Sequence, residues 1–524
     1  MKFKMPAIKV FHWRMLPLAL VCLVAGLLFV SIDIWWLTGL LMTLCAIGIV
    51  VATVLAKRRR AVGVVCLAAL LAAYLMLVPM GQYLGAMVGD EISAQTVGRI
   101  AMVSADENGK IDALVLDHLQ INGRSVGGKA SVDLRYQTTA AMGYVYADAG
   151  RSDYVVGIPL EIGQTVSVKG TLAGIKWHYF DSAAMHNIVR KVYFRLRADG
   201  LAMVDAAPRL GAAEKVRVAL YRTLAGNMSG QSAGMAYAFL TGNASFVPDD
   251  VLAGYRSSGA AHLLAVSGLH VGLVAGLLAL LLKRLRCPSW VRTIVLAAVL
   301  GVYAWLCGDA PSVWRATALV VGGSLCSALG RRRDAPSLLS GCGLVLLAVR
   351  PLWLFDVSFL LSFAAYAGVV LLYAPLRKVL RRVPGRWGDA LALNVAVTLS
   401  TLPISVYFFG GFAALCIPLN FVLIPVMSVV YVVLFACALV SVVPALGILL
   451  TGLDYVLRVV NAAVVALGGV GYLGLRFEVW QLPLYYGAAA LASPYCLPRK
   501  AIRYSAAAAT VLLLAVWTLV DTFA

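Results

Sequence analysis

Long apolar segments separated by short charged clusters dominate the pattern of this chain. Apolar stretches of about 17 residues or more recur along most of its length, and such a stretch as a helix crosses the hydrocarbon core of a bilayer. Helices satisfy their backbone hydrogen bonds internally, so we interpret these stretches as membrane-spanning α-helices. The pattern predicts a polytopic α-helical membrane protein with about 13 spans.

The charges give the predicted spans an orientation. Half of the 44 Lys and Arg residues fall in six short clusters beside the apolar segments, and such clusters mark cytoplasmic loops. This explains most of the net charge of +20 and predicts a multi-pass protein of the cytoplasmic (inner) membrane. The predicted spans are 16–32, 34–56, 61–80, 260–282, 290–307, 313–329, 338–353, 357–373, 390–409, 416–443, 446–468, 481–497 and 504–522.

Residues 82–207 have a different pattern, with shorter apolar runs and frequent charges. Thr165–Leu172 and Ser131–Tyr136 alternate with a period of two, which is typical of strands. Asn-Gly pairs at 108–109 and 122–123 are typical of hairpin turns. Together they predict a β-rich domain, a small barrel or sandwich, which the charge pattern places outside the cytoplasmic membrane.

The end of this region, His186–Arg197, interleaves basic and aromatic residues. A strand of this kind can follow a nucleic-acid backbone while its rings stack on bases. The candidate contacts are Arg190, Lys191, Tyr193 and Arg195. A strand with a merely solvated basic face explains the same pattern, and the sequence leaves both interpretations open.

Residues 208–258 are neither strand-like nor apolar enough to span a membrane simply. Helical spacing in this segment predicts amphipathic helices at the interface or along a cavity. Pro248 and the two acidic residues that follow it predict the first turn of a short helix ending near Arg256.

Polar residues interrupt the apolar segment that follows. Unpaired polar groups in hydrocarbon cost free energy, so these residues should face protein, a cavity or water. If residues 260–282 form one helix, its two histidines lie roughly 80° apart and can face one cavity. They bond either a passing substrate or neighbouring helices. The residues concerned are His262, Ser267, Gly268 and His270.

Three further polar residues lie inside predicted spans. Arg315 is either paired with a carboxylate, such as Asp309 or Asp356, or held for contact with a phosphate. Asn394 and Asn420 either line a path or form bonds between helices.

The sequence has little that indicates catalysis. The cysteines have no spacing typical of a metal site, and no GxxxxGK[ST] phosphate loop is present. Ser267 and His270 are three residues apart but have no evident acidic partner. We therefore expect no enzymatic activity, no catalytic residue, no bound metal and no cofactor.

Six sequence blocks in a fixed order carry a resemblance to a known family. They are LTGN at 240–243, GAAHLLAVSGLHVGLVAGL at 259–277, PSVWRA at 311–316, FDVSFLLSFAAYAG at 355–368, NVAVTLSTLPISVYFFGGF at 394–412 and PLNFVLIPVMS at 418–428. Over about residues 15–470 the chain resembles the ComEC family of competence proteins. The resemblance implies a channel that passes single-stranded DNA across the cytoplasmic membrane in natural transformation, and an OB-like fold for the β-rich domain.

The resemblance also implies partners. We expect single-stranded DNA, membrane lipid, an extracytoplasmic DNA receptor and a cytoplasmic ATPase or helicase. Many family members carry a metallo-β-lactamase-like domain, but this sequence has no HxHxDH-type cluster, so any strand degradation requires a separate nuclease. The resemblance is also compatible with a homo-oligomer. On this interpretation the candidates for the DNA path are Arg256, His262, Ser267, Gly268, His270, Asp309, Arg315, Asn394 and Asn420.

These patterns predict five domains. They are N-terminal spans (1–81), the extracytoplasmic OB-like domain (82–207), amphipathic interfacial or cavity helices (208–258), a competence-type channel domain (259–475) and C-terminal spans (476–524). The alternative functions are a secondary transporter of a small anionic solute, an intramembrane enzyme, and a membrane scaffold without transport activity.

Overall fold

A computed structural model describes the greater part of the chain between residues 91 and 486. The described residues are 91–105, 111–134, 162–175, 187–205, 207, 209–244, 246–264, 266–308, 310–413, 415–439, 447–468, 472–475, 481–482 and 485–486, with 20–21, 23–24, 46, 68–69 and 71–73 near the N-terminus. Nearly all of the predicted spans at 16–80 and 481–497, and the whole of 504–522, lie outside them.

A β-barrel comes first among the described elements. Its strands are β1 (Ile92–Ala105), β2 (Ile111–Ile121), β3 (Arg124–Ser125), β4 (Lys129–Asp133), β5 (Thr165–Gly174) and β6 (Val192–Asp205). β1 pairs with both β2 and β5, β5 pairs with β6, β6 runs parallel to β4, and β4 pairs with β2. These pairings close five strands into a barrel, and β3 adds a short hairpin to β2.

Period-two alternation builds the barrel core. Leu114 and Leu116 of β2, Val166 and Val168 of β5 and Leu196 of β6 are fully or almost fully buried, because alternate side chains of a strand point to the same face. The β-rich region predicted from the sequence is therefore present.

Two of the turn and strand predictions can be compared directly. The Asn-Gly pair at 122–123 forms the turn between β2 and β3 with positive φ at both residues, the backbone that Asn-Gly favours in a type I′ hairpin. The predicted strand at 131–136 ends at Asp133 among the described residues. The pair at 108–109 lies outside them.

The strand predicted from His186 begins later than expected. Residues 187–189 form a helical turn, and β6 starts at Val192. The reason is packing, because Ile188 and Val189 are buried against the helical part of the chain, in a cluster with Leu347 and Trp353. The apolar pair thus leaves the sheet and fastens the barrel to the helices.

Twelve described helices follow the barrel. They are α1 (Ala212–Ala225), α2 (Gly230–Thr241), α3 (Asp249–Ser257), α4 (Ala261–Leu264), α5 (Gly268–Arg284), α6 (Ser289–Cys307), α7 (Pro311–Ala328), α8 (Ala335–Val349), α9 (Val357–Val379), α10 (Gly385–Phe409), α11 (Cys416–Leu439) and α12 (Gly447–Gly468). Single 3₁₀ turns lie at Pro351–Phe355 and Leu380–Arg382, and β7 (Gly411–Ala413) pairs with β8 (Tyr472–Gly474).

Within the described residues, five helices are long and apolar enough to cross a membrane. They are Ser289–Cys307, Val357–Arg382, Gly385–Phe409, Cys416–Ala438 and Leu449–Leu467. The chain is therefore a membrane protein with a mostly helical second part, as the apolar pattern predicts.

α2 lies at the centre of the helical part. Every residue from Ser232 to Thr241 is buried, and a side chain at Gly234 would collide with the backbone carbonyl of Phe246. The prediction of amphipathic helices over 208–258 is thus wrong for α2, because its small residues let neighbouring chain pack on all sides. The short helix predicted after Pro248 is confirmed as α3.

Two tyrosines from a distant part of the chain bond backbone carbonyls of α10 one turn before Pro403. Pro403 has no N–H to donate to the carbonyl of Leu399. The hydroxyl of Tyr485 donates to that carbonyl at 2.7 Å, and the hydroxyl of Tyr486 donates to the carbonyl of Ser400 at 2.7 Å. Tyr485 thus replaces the hydrogen bond that Pro403 cannot make, and Tyr486 bonds the next carbonyl, in a helix for which a membrane supplies no partner.

An arginine joins the barrel to α1. Arg99 of β1 makes a two-point contact with Asp117 of β2, at 2.9 and 2.7 Å, and reaches Glu214 of α1 at 2.7 Å. It also donates to the carbonyl of Arg209 at 2.9 Å. The hydrogen bonds to Asp117, followed by those to Glu214, raise the pKa of Arg99 against the effect of burial. Arg99 therefore stays charged at physiological pH.

We predict that Arg99→Gln loosens this junction. Loss of a largely buried, charge-assisted link costs about 2 kcal/mol, so opening becomes roughly 30-fold more frequent. Tryptic cleavage after Arg209 reports that opening. Arg124→Gln, at the exposed β2–β3 turn, is the matched control. Equal cleavage rates in both variants would contradict the role of Arg99.

Candidate functional site

The polar segment after α3 contains a break in the helix. α4 ends at Leu264 and α5 begins at Gly268, with Ser267 in an extended conformation (φ −110°, ψ 170°). The single helix predicted over 260–282 is therefore wrong, and His262 and His270 lie on different helices. Serine is a favoured residue immediately before a helix, and the following glycine has low helix propensity, so the Ser-Gly step ends one helix and starts the next.

Side chains replace the hydrogen bonds that the break removes. The hydroxyl of Ser312, at the start of α7, donates to the carbonyl of Val266 at 2.6 Å. The backbone N–H of Ser267 donates to Nδ1 of His270 at 3.2 Å. Backbone polar groups that are buried in a protein require such partners, so the break is a specified part of the fold.

His270 is buried at the centre of this arrangement. It is 2% exposed, and its ring stacks on Tyr431 of α11 at 4.2 Å between centroids. The Tyr431 hydroxyl lies 2.9 Å from that of Tyr303, which donates to the carbonyl of Leu240 at 3.2 Å. Because Nδ1 accepts a hydrogen bond, the neutral ring carries its proton on Nε2. These contacts explain the burial of His270 by packing of α5 against α11, α6 and α2. His262, in contrast, is exposed on α4.

Arg315 lies beside the break. It is 8% exposed, and its Nη1 donates to the carbonyl of Ser362 in α9 at 2.7 Å. A side chain at Gly268 would lie only 2.9 Å from Nη2, so the guanidinium rests against the first residue of α5. Nε has no hydrogen-bond partner among the described residues.

The carboxylates predicted to pair with Arg315 are accounted for differently. Asp356 caps α9 by accepting from the N–H of Phe359 at 3.0 Å, and no ion pair joins it to Arg315. Asp309 lies outside the described residues. Within the described part of the chain, the guanidinium therefore has a carbonyl partner and no carboxylate.

Both asparagines lie at the junction of α10 and α11. Nδ2 of Asn394 donates to the carbonyl of Ile417 at 3.2 Å, and Thr398 donates to Oδ1 of Asn394 at 3.4 Å. Asn420 is buried one turn further along α11, and its Oδ1 has no partner among the described residues. Asn394 thus bonds across helices, whereas Asn420 keeps an unused acceptor.

The remaining candidates lie at exposed positions. Arg256 is exposed near the end of α3. Arg190 and Lys191 are exposed in the turn before β6, and Arg195 is exposed on β6 itself. Tyr193 is half-buried over Gly128. Tyr193 packs at the junction of the barrel with the helices, against the same buried cluster as Trp314, whereas Arg256, Lys191 and Arg195 lie at the surface of the chain.

Two polar residues of α12 were not predicted. Asp454 accepts hydrogen bonds from the hydroxyl and N–H of Ser229, at 2.6 and 3.1 Å, and so caps α2. Asn461 accepts from the hydroxyl of Tyr255 at 3.0 Å. An acidic residue inside an apolar segment was the available signal for Asp454. Ser312 and Tyr431 carried no comparable signal, because serine and tyrosine are common in such segments.

Metal binding has no visible basis in the described part of the chain. There, no group of three or more His, Cys, Asp or Glu side chains comes together. The chemistry that this region offers is hydrogen bonding and positive charge held inside an apolar body.

Comparison with known proteins identifies the family. Residues 239–499 match the family model described as "Competence protein". The chain belongs to this competence protein family. The matched region contains the helix break, Arg315 and both asparagines, and the barrel precedes it.

Three curated relatives share part of this region. ComE operon protein 3 of Bacillus subtilis (strain 168) is 34% identical over 196 residues, or 37% of this chain and 24% of that protein. Uncharacterized protein YcaI of Escherichia coli (strain K12) is 27% identical over 209 residues, covering 37% and 27% of the two chains. An uncharacterized protein of Aquifex aeolicus (strain VF5) is 30% identical over 182 residues, covering 35% and 40%.

These similarities are partial. The chain matches only 24% to 40% of the length of the curated relatives. No solved structure matches it.

We predict that two substitutions separate the two contacts of His270. His270→Gln can still accept from the Ser267 N–H, as Gln does at this helix position, but loses the stacked ring at a cost of about 0.5–1.5 kcal/mol. His270→Phe keeps the ring and loses the cap, at about 1 kcal/mol. The free energy of unfolding of the detergent-solubilised chain measures both. A variant series in which neither substitution destabilises the chain would contradict the packing role.

Proposed function

We propose that this chain forms a channel that passes single-stranded DNA across the cytoplasmic membrane during natural transformation. The observation that carries the proposal is the buried Arg315 beside a broken helix in the region matched by the competence family. A buried cation is costly in a membrane helix, and Arg315, which has no carboxylate partner among the described residues, suits a negatively charged substrate.

The helix break supports a path through the helical part. Non-helical backbone at membrane depth occurs where it is buried in protein or lines a water-filled cavity. Here α4 and α5 meet at such a break, and His262 is exposed immediately before it. Asn420 contributes a further unused acceptor on α11. A moving strand needs weak, repeated polar contacts of this kind, because tight binding would stop its movement.

The barrel supports a role in receiving DNA. Its strand connectivity, five strands closed by β1–β5 and β1–β2 pairing with β6 parallel to β4, fits an OB-like barrel, a fold that binds oligonucleotides. Lys191, immediately before β6, and Arg195, near the start of that strand, are exposed. Basic residues of this kind can follow a single-stranded backbone.

The rest of the proposal concerns the setting of the protein. It has about 13 spans in the inner membrane, with the barrel outside. It catalyses no reaction, and a cytoplasmic ATPase or helicase draws the strand inward while an extracytoplasmic receptor delivers it. A separate nuclease removes the other strand where degradation occurs. Membrane lipid surrounds the helices, and a homo-oligomer is compatible with this arrangement.

A secondary transporter of a small anionic solute is the second candidate. The broken helix and the buried Arg315 are also features of such transporters. Ion-coupled uptake of solute by vesicles containing the purified chain would favour it. An intramembrane enzyme would be favoured if turnover of a lipid or cell-wall substrate depended on His270.

The decisive experiment uses the native host. Deletion of the gene should abolish entry of labelled DNA into the cytoplasm, with DNA still bound outside, and the intact gene should restore entry. DNA uptake that persists in the deletion strain would overturn the channel proposal.

We predict that Lys191→Gln with Arg195→Gln weakens binding of single-stranded DNA by the full chain. If each side chain contacts one phosphate, the slope of log K against log salt becomes shallower by about 1.4, since each contact to a single strand contributes about 0.7. The matched control is Arg124→Gln with Lys169→Gln, which removes the same charges from exposed positions elsewhere on the barrel. Identical slopes in both pairs would exclude Lys191 and Arg195 from the contact with DNA.

A further inference from the structure

We propose that Arg315 and the amino end of α5 form a binding site for one phosphate oxyanion. The site deepens the proposed channel function and rests on it for the identity of the ligand, which is a phosphodiester group of the DNA backbone. A lipid headgroup carries the same chemistry and is distinguished below.

The geometry brings two cationic features together. Nη2 of Arg315 lies against Gly268, the first residue of the 17-residue helix α5. The N–H groups of a helix's first turn have no acceptor within the helix and point out of its end. The guanidinium therefore lies at the end of α5 where an anion would be held by backbone N–H groups.

Electrostatics makes this arrangement incomplete without an anion. The amino end of a helix carries a partial positive charge, and Arg315 adds a full one in a buried position. Burial of a charge without a counter-ion is costly, and within the described residues only the carbonyl of Ser362 accepts a hydrogen bond from Arg315. Nε lacks a partner there. An oxyanion bonded both by Arg315 and by the first N–H groups of α5 would satisfy both groups.

The chain holds the two features rigidly. Ser312, three residues before Arg315, ties the start of α7 to the carbonyl of Val266 in the break. The N–H of Ser267 is occupied by His270, so the break cannot easily extend α5 backwards over the site. Arg315 is also fixed from α9 through Ser362. Such preorganisation lowers the cost of binding a single phosphate group.

The position of the site suits entry of the strand. Gly268, Arg315 and Ser362 lie at the first, fifth and sixth residues of α5, α7 and α9. All three helices run toward cytoplasmic basic clusters by the charge pattern. The site is therefore within about 8 Å of their outer ends, given a rise of 1.5 Å per residue. A phosphate reaching the helices from the barrel side would meet it early.

Gly268 provides a test that keeps every charge. A methyl group at this position would lie 2.9 Å from Nη2, which can move away because it ends a flexible side chain. Gly268→Ala should therefore fold but displace the guanidinium from the helix end. Gly272→Ala, one turn further along α5, is the matched control, since no atom lies within 4 Å of its added methyl group. Arg315→Gln removes the charge itself, and Arg333→Gln, at an exposed hydrogen bond to Ser327, is its control.

The first experiment measures thermal unfolding of the purified full chain in detergent. Sodium dimethyl phosphate, a phosphodiester with neither base nor lipid tail, is compared with sodium chloride at equal ionic strength. We predict that dimethyl phosphate raises Tm for the wild type, Gly272→Ala and Arg333→Gln, and that the shift is lost in Gly268→Ala and Arg315→Gln. An equal shift in all five proteins, or none in the wild type, would overturn the site.

The second experiment identifies the source of the phosphate. Binding of oligothymidylate is compared with binding of an uncharged peptide nucleic acid of the same sequence, in nanodiscs of neutral lipid and in nanodiscs containing phosphatidylglycerol. We predict at least about tenfold weaker oligothymidylate binding for Arg315→Gln and Gly268→Ala in neutral nanodiscs, as expected for a lost charge-assisted hydrogen bond, with no change for the uncharged strand. If the anionic lipid alone abolishes the difference between variants, the ligand is a headgroup and the assignment to DNA fails.

The two proposals can fail separately. Loss of the dimethyl phosphate effect from the wild type removes the oxyanion site, whatever the deletion strain shows. DNA uptake that persists in the deletion strain removes the channel proposal, while the Tm shifts still decide the site.

Discussion

The constraint on which the helical part depends is that backbone polar groups within a membrane must find partners inside the protein. At the break between α4 and α5, Ser312 and His270 supply those partners. At the kink of α10, Tyr485 and Tyr486 supply them. At both places a side chain from a distant element bonds the backbone, and at the break His270 of α5 itself contributes as well. These side chains hold the irregular positions in place, which a functional site inside a membrane requires.

The partners of two arginines, Arg99 and Arg315, show a related difference. Arg99 at the base of the barrel is matched by two carboxylates and serves as a joint. Arg315 has a single carbonyl partner among the described residues. On α12, Asp454 bonds the start of α2, and the side-chain oxygen of Asn461 accepts from Tyr255, while its Nδ2 has no partner among the described residues. Arg315 differs from these residues because the group left without a carboxylate among the described residues is a buried charge.

Sequence patterns predicted the large features well. Apolar length indicated the membrane helices, period-two alternation indicated the strands, and Ser267, Gly268 and Arg315 were selected because polar groups are costly in hydrocarbon. The break itself was missed, because the Ser267-Gly268 step lies inside a segment whose length suits a single span. The displacement of Ile188 and Val189 from β6 was missed because tertiary packing, which local alternation does not contain, decided it. The contact of Arg315 with Gly268 joins two elements far apart in sequence, and no spacing rule could reveal it.

The hydrogen bond between Tyr485 and the carbonyl of Leu399 in α10 has a consequence for the synthesis of the protein. When the ribosome has released Pro403, the tyrosines that will bond Leu399 and Ser400 are still about 80 residues away in the chain. Until Tyr485 arrives, the carbonyl of Leu399 must be hydrated or bonded elsewhere, which favours keeping this helix in the insertion machinery rather than in lipid. Tyr485 and Tyr486 thus complete the hydrogen bonding of α10 only after the C-terminal part of the chain has been synthesised.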